Sequence, residues 1–297
     1  MINTSNAVLP PFLLLDPLLR SWLAEDIGRG DRTTQSLLNH NSRTRKAQWI
    51  AKEAGIIAGL PIAARVFQLL DGQVKFTATV EEGQWCDVPS GGSQDKSVIA
   101  TIEGSLDALL TGERVALNLA MRLSGIATMT NKYVAQIADL PTQLVDTRKV
   151  TPGLRLLEKY ATQVGGAVNH RLGLDDGVMI KDNHIAIAGG IGKAIAQIRP
   201  RIPYPLTIEV ETENLDQVRE ALEHQADIIM LDNMPLDMMR QAVEIIRETS
   251  NRTRIEASGN VTLETIRAVA ETGVDYISSS APITRSIWLD LSMKILV

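Results

Sequence analysis

Apolar residues recur along the chain in two rhythms. Near the start, Leu13, Leu14, Leu18, Leu19 and Leu23 predict a helix over residues 12–25, closed by Gly28 and Gly30. From about Ala47 to Ile102 the strand-like stretches are short, at 49–51, 55–58, 74–80 and 97–103. Turn clusters at Asp71-Gly72, Glu82-Gly83 and residues 90–93 separate them, and a helical stretch at 61–70 lies between. This predicts a small α+β domain with an antiparallel sheet. Residues 111–137 read as helical again, with a break expected around Ser124-Gly125.

After about residue 140 the rhythm becomes regular. Buried-strand candidates fall at 143–146, 177–180, 206–210, 227–231, 254–257 and 275–278. Helical patterns at 191–198, 215–224, 236–249 and 263–272 fill the gaps. Glu211, Asp232, Glu256 and Ser278 mark a unit that repeats every 21–24 residues. Such a βα repeat means parallel strands with crossover helices, an α/β barrel in which function sits at the carboxyl ends of the strands. The division expected is an N-terminal α+β domain over 1–120 and a barrel domain over 121–297.

Composition narrows the class. With 44% apolar residues the chain can bury a core, and a single cysteine, Cys86, excludes a disulfide framework and a cysteine-based zinc site. No signal peptide or membrane span is expected, which points to a soluble protein of the reducing cytoplasm. A net charge of -5 argues against a nucleic-acid partner. Residues 114–184 reverse that sign, with nine Lys or Arg against six acids. Such an island is either a solvated face or a pocket for a small, highly charged anion.

The strand ends carry the candidate chemistry. Thr147-Arg148-Lys149, Asn169-His170-Arg171 and Lys181 gather cations suited to carboxylate or phosphate, with His170 a candidate ligand. Glu209 and Glu211 alternate onto one face of a strand, and Asp232 ends the next. Carboxylates so placed hold a hydrated Mg²⁺ or hydrogen-bond sugar hydroxyls. Ser258-Gly259-Asn260 and Ser278-Ser279-Ser280 are small-residue loops that read as a phosphate cradle, or as simple helix caps. Arg114 and Arg122 read as ordinary exposed helix residues, Cys86 as structural, and Met230, Met234, Met238 and Met239 as packing.

Read together, these segments resemble the quinolinate phosphoribosyltransferases. The matching runs include Ala24 to Asp31, Gly112 to Asn118, Arg122 to Thr128, Asp146 to Arg155, Asn169 to Leu174, Ile180 to His184, Ile208 to Glu211, Leu231 to Asn233 and Gly273 to Ile277. Asp146 to Arg155 is the most specific of them. Val150 departs from a common second threonine, and residues 278–280 depart from a glycine-containing turn.

The resemblance implies an α+β domain followed by an incomplete α/β barrel. It implies transfer of phosphoribosyl from 5-phosphoribosyl-1-pyrophosphate to quinolinate with Mg²⁺, giving nicotinate mononucleotide, pyrophosphate and CO2 in NAD biosynthesis. Carried over by position, Arg148, His170, Arg171 and Lys181 clamp the quinolinate carboxylates. Arg114 reaches in from a partner subunit of a homodimer, or of a hexamer built from such dimers. Lys149 faces the pyrophosphate, Glu211 and Asp232 hold Mg²⁺ and the ribose, and the loops 258–260 and 278–280 hold the monophosphate; Thr147 belongs to the same rim. The competing readings are a nicotinate-type transferase without decarboxylation, and a barrel lyase with Lys149 or Lys181 as a Schiff base.

Overall fold

A computed structural model of the chain describes residues 7–38, 43–88 and 97–296; the expected turn at 90–93 lies outside them. The first helix, Phe12–Ile27, buries Leu15, Leu19 and Leu23, whose four-residue spacing makes a single stripe. Leu13 and Leu14, which the sequence pattern had counted in, face outward. Strands β1 (Thr44–Ala51), β2 (Gly55–Ile56), β3 (Lys75–Ala78), β4 (Trp85–Cys86) and β5 (Val98–Ser105) follow, with a helix at Leu60–Leu70. β1, β5 and β3 pair antiparallel in one sheet, and β2 pairs with β4 apart from it. Trp49 of β1 meets Phe67 and Phe76 edge-on in the core of this unit.

The segment expected to break is one continuous helix, Leu106–Ala135. Ser124 and Gly125 are packing residues in it. The Ser124 hydroxyl accepts the Ala58 N–H at 3.0 Å, and a Cβ on Gly125 would overlap the Ile287 carbonyl. The small side chains let two backbones touch the helix without bending it.

The regular half supplies β6 (Gln143–Val145), β7 (Val178–Ile180), β8 (Ile208–Thr212), β9 (Ile228–Asp232), β10 (Arg254–Ser258) and β11 (Tyr276–Ser278). They form one sheet in the order β6-β11-β10-β9-β8-β7, and every pairing is parallel. The edge strands β6 and β7 do not pair with each other. Residues from all six strands nevertheless line one cavity, so the sheet wraps around a lumen and stays open at one seam. The final strand, β12 (Leu291–Leu296), crosses back and pairs antiparallel with β1. The outcome is an antiparallel α+β unit and an incomplete six-stranded barrel, the architecture expected. Among the described residues no helix is long and apolar enough to cross a membrane.

Candidate active site

Strand alternation decides what enters the lumen. Glu209 and Glu211 on β8, Glu256 and Ser258 on β10, and Tyr276 and Ser278 on β11 are two apart and therefore share a face. At the carboxyl ends lies a cavity of about 660 Å³. Its wall contains Thr147, Arg148, Lys149, His170, Arg171, Lys181, Glu211, Asp232, Ser258, Gly259, Asn260, Ser278, Ser279 and Ser280. Arg114 lies outside it, exposed on the helix Leu106–Ala135, and Glu209 lines the cavity at the other end of the lumen instead. Arg285, Met179 and Glu256 line the cavity without having been singled out as site residues, and Met230, read as packing, lines it too.

The cations around this cavity are only partly neutralised. Arg171 donates to the Gly177 carbonyl at 2.9 Å and reaches the Met179 sulfur, with no carboxylate at ion-pair distance among the described residues. Burial, and then the neighbouring charge of Arg148, hold its pKa below the ordinary arginine value. Two guanidiniums that repel each other across a pocket are the electrostatic signature of an anion site. Lys181 is different: its Nζ lies 2.6 Å from Glu211 Oε2.

Buried networks set the rim. Lys159 and Asp146 are both buried and form an ion pair; Lys159 also donates to the His170 carbonyl at 2.8 Å. Asp146 accepts the His170 N–H at 2.9 Å, the Thr162 hydroxyl at 2.8 Å and the Asn169 amide at 2.6 Å. The strand end that precedes Thr147-Arg148-Lys149 is thus tied to the loop carrying His170 and Arg171. A second network corrects the reading of Arg122 as an exposed residue. Its guanidinium binds Glu158, fully buried, at 2.8 Å, and Ser286 at 2.8 Å. Glu158 in turn accepts both the N–H and the hydroxyl of Thr151, each at 2.8 Å, which anchors the far end of the cationic loop.

Below the rim sits an acidic layer. His170 Nε2 lies 3.1 Å from Glu209 Oε2 and 3.5 Å from Glu256 Oε2. Both glutamates are 3% exposed, and the other oxygen of each, Oε1, has no hydrogen-bond partner among the described residues. Burial and the charge of Glu209 push the Glu256 carboxyl up to about 7. Burial lowers the His170 pKa, but Glu209 and Glu256 outweigh it and the net shift is upward. The Arg171 N–H points at His170 Nδ1 at 2.7 Å, which puts the proton of the neutral ring on Nε2. These three side chains have ligand atoms within 4.8 Å of one another, but a protonated Nε2 is a poor metal ligand. Both ring nitrogens of His170 are therefore engaged within the protein.

The small-residue loops interlock. Gly259 has φ of 106°, and a Cβ there would strike the Asn233 side chain. The Asn260 amide reaches Asn233 Oδ1 at 3.2 Å, and Asn233 N–H donates to the Ser258 carbonyl at 2.9 Å. The Ser279 N–H is spent on the Val145 carbonyl. Among the described residues no acceptor meets the N–H of Gly259, Asn260 or Ser280, all of which border the cavity.

A half-open α/β barrel with unpaired cations, two rim acids and free loop amides around one cavity defines an enzyme for small, multiply charged anions. The family description "Quinolinate phosphoribosyl transferase, C-terminal domain" matches residues 126–294, and its N-terminal counterpart matches 31–124. A probable nicotinate-nucleotide pyrophosphorylase (carboxylating) of Synechocystis is 61% identical over 97% of this chain and 94% of its own. A probable nicotinate-nucleotide pyrophosphorylase (carboxylating) of Bacillus subtilis is 45% identical over 95% of this chain and 94% of its own. The crystal structure of NadC from Streptococcus pyogenes superposes with a TM-score of 0.88 at 43% identity, covering 98% of this chain and 99% of that one. The chain belongs to the quinolinate phosphoribosyltransferase family.

Proposed function

We infer that the chain transfers the phosphoribosyl group of 5-phosphoribosyl-1-pyrophosphate to quinolinate and releases pyrophosphate and CO2, the decarboxylating step of NAD synthesis. The observation that carries the site assignment is the partition of one cavity. Arg148, Arg171 and Lys181 offer positive charge for two carboxylates, while Glu211, Asp232 and the two small-residue loops suit a phosphorylated sugar. A nicotinate-type acceptor has one carboxylate and would leave this cationic set underused.

On this reading Arg148 and Arg171 fork onto the carboxylates and Lys181 neutralises them from the β7 side. His170, whose nitrogens are already engaged, shapes this pocket and steadies the Arg171 backbone. Lys149 faces the leaving pyrophosphate. The amides of Gly259, Asn260 and Ser280, with the serine hydroxyls beside them, hold the monophosphate. Arg114 completes the acceptor pocket of a partner subunit in a homodimer.

Glu211 and Asp232 are suitable Mg²⁺ ligands, because they end neighbouring strands and border the same cavity. That ion takes one or two carboxylates and fills the rest of its shell with water and substrate phosphate. When bound it supplies positive charge to the pyrophosphate. The same two carboxylates hydrogen-bond the ribose hydroxyls and stabilise the positive charge that grows on the sugar as its glycosidic bond loosens. Ribosylation of the ring nitrogen then makes the pyridinium an electron sink for the departing carboxylate.

The test is a paired assay with 5-phosphoribosyl-1-pyrophosphate and Mg²⁺, offering quinolinate or nicotinate. Pyrophosphate and CO2 in equal amounts from quinolinate alone is the expected result. Turnover with nicotinate alone would overturn the acceptor, and a borohydride-trapped adduct on Lys149 or Lys181 would favour the lyase reading.

A further inference from the structure

Loss of CO2 from the ribosylated pyridine leaves an electron pair on ring carbon C2, and the product carries a hydrogen there. One proton must therefore be supplied for each CO2 released. We propose that Glu256 is the acid that supplies it, an inference that rests on the function given above. The carboxyl lies on β10 one inward-facing step below Ser258 and lines the same cavity as Arg148, Arg171 and Lys181. It is therefore beneath the acceptor and outside the phosphate loops.

Three features suit Glu256 to this role and the neighbouring groups less well. Its Oε1 atom is shielded from solvent and has no hydrogen-bond partner among the described residues, so a proton held there is not shared. Its surroundings keep the carboxyl protonated well above the usual glutamate range. His170 Nε2 is directed at the two glutamates, and Lys181 is held by Glu211. The groups facing Glu256 are Glu209 from β8, His170, Lys181 beyond β7, and Tyr276 and Ser278 from β11.

The step balances. The C2–carboxylate bond breaks, its electron pair stays on C2, and CO2 leaves. C2 then takes the Glu256 proton across the space vacated by the carboxylate, and Glu256 becomes a carboxylate. It reloads from water. A second cavity, of about 1180 Å³, reaches Glu256 from the opposite end of the lumen, where it is bordered by Arg199 and Arg254. Reprotonation therefore need not wait for product to clear the mouth.

The experiment measures CO2 released per pyrophosphate released, for the wild type and for Glu256→Gln, with the products resolved by mass. The wild type is expected at one to one. In Glu256→Gln the C2 anion recaptures CO2, so the ratio should fall below about one half and quinolinate mononucleotide should be released. A ratio that stays at one in this variant overturns the proposal, whatever happens to the overall rate, because a merely structural role slows both products equally. If the variant does not fold, the wild type carries the test: its ratio should fall as pH rises from about 6 to about 9. A constant ratio over that range also overturns it. No pyrophosphate from the wild type with quinolinate would overturn the functional reading itself, and the proposal with it.

Discussion

Lys181 Nζ lies 2.6 Å from Glu211 Oε2, and this contact joins the two halves of the cavity. Lys181 follows β7 beside the acceptor cations, whereas Glu211 belongs to the acids at the ends of β8 and β9. Without substrate each neutralises the other. With substrate, each is drawn toward its own ligand, so the two should fail differently when removed.

Lys181→Met should raise the quinolinate KM by about 10- to 100-fold, the range for losing one charged hydrogen bond of 1.5–3 kcal/mol, with a smaller effect on kcat. Glu211→Gln should lower kcat by a comparable factor while leaving quinolinate binding nearly intact. Steady-state kinetics with each substrate varied in turn separates the two patterns.

The buried pair Lys159–Asp146 should behave as a positioning device with a large structural penalty. Lys159→Met leaves Asp146 as an uncompensated buried charge, which costs on the order of 3–5 kcal/mol. Adding Asp146→Asn should recover much of that loss of stability. It should not restore the quinolinate KM, because the tie to the loop of His170 and Arg171 is still altered. Urea unfolding together with KM measurements checks both halves.

Arg114 is tested by complementation. Alone, Arg114→Ala and Lys149→Ala should each be nearly inactive. Mixed dimers should regain up to about half of wild-type activity, since one of their two sites receives both intact residues, and a random mixture up to about a quarter. No recovery in dimers verified as mixed would remove Arg114 from a shared site.

Stability should depend on pH through Glu256. The folded state keeps a proton that the unfolded chain loses near pH 4.5, because burial pushes the folded carboxyl up to about 7. This contribution is full below the unfolded value and is lost as pH rises through the folded one. The loss is on the order of 3 kcal/mol, at 1.36 kcal/mol per unit. Glu256→Gln should flatten that part of the profile, and urea midpoints at about pH 5 and about pH 8 measure it.

The barrel and its rim were legible because two periods coincide. The βα repeat of 21–24 residues located the strands, and polar residues at each strand end marked the carboxyl edge. Glu256 was visible only as a marker of that repeat. In Ile255-Glu256-Ala257 an acid flanked by apolar neighbours gives no sign of which face it takes, or that Glu209 lies opposite. Lys159 and Glu158 were hidden for a related reason: two adjacent charges give no sign of burial, while here each is buried against a partner on another segment. The return of β12 to β1 joins segments about 240 residues apart, a pairing that no local period encodes.

The most direct test of the site map is a crystal structure of the protein with quinolinate bound. Both carboxylates are expected among Arg148, Arg171 and Lys181, with the ring nitrogen toward Glu211 and Asp232. Quinolinate seated instead on the loops 258–260 and 278–280, away from those cations, would contradict it.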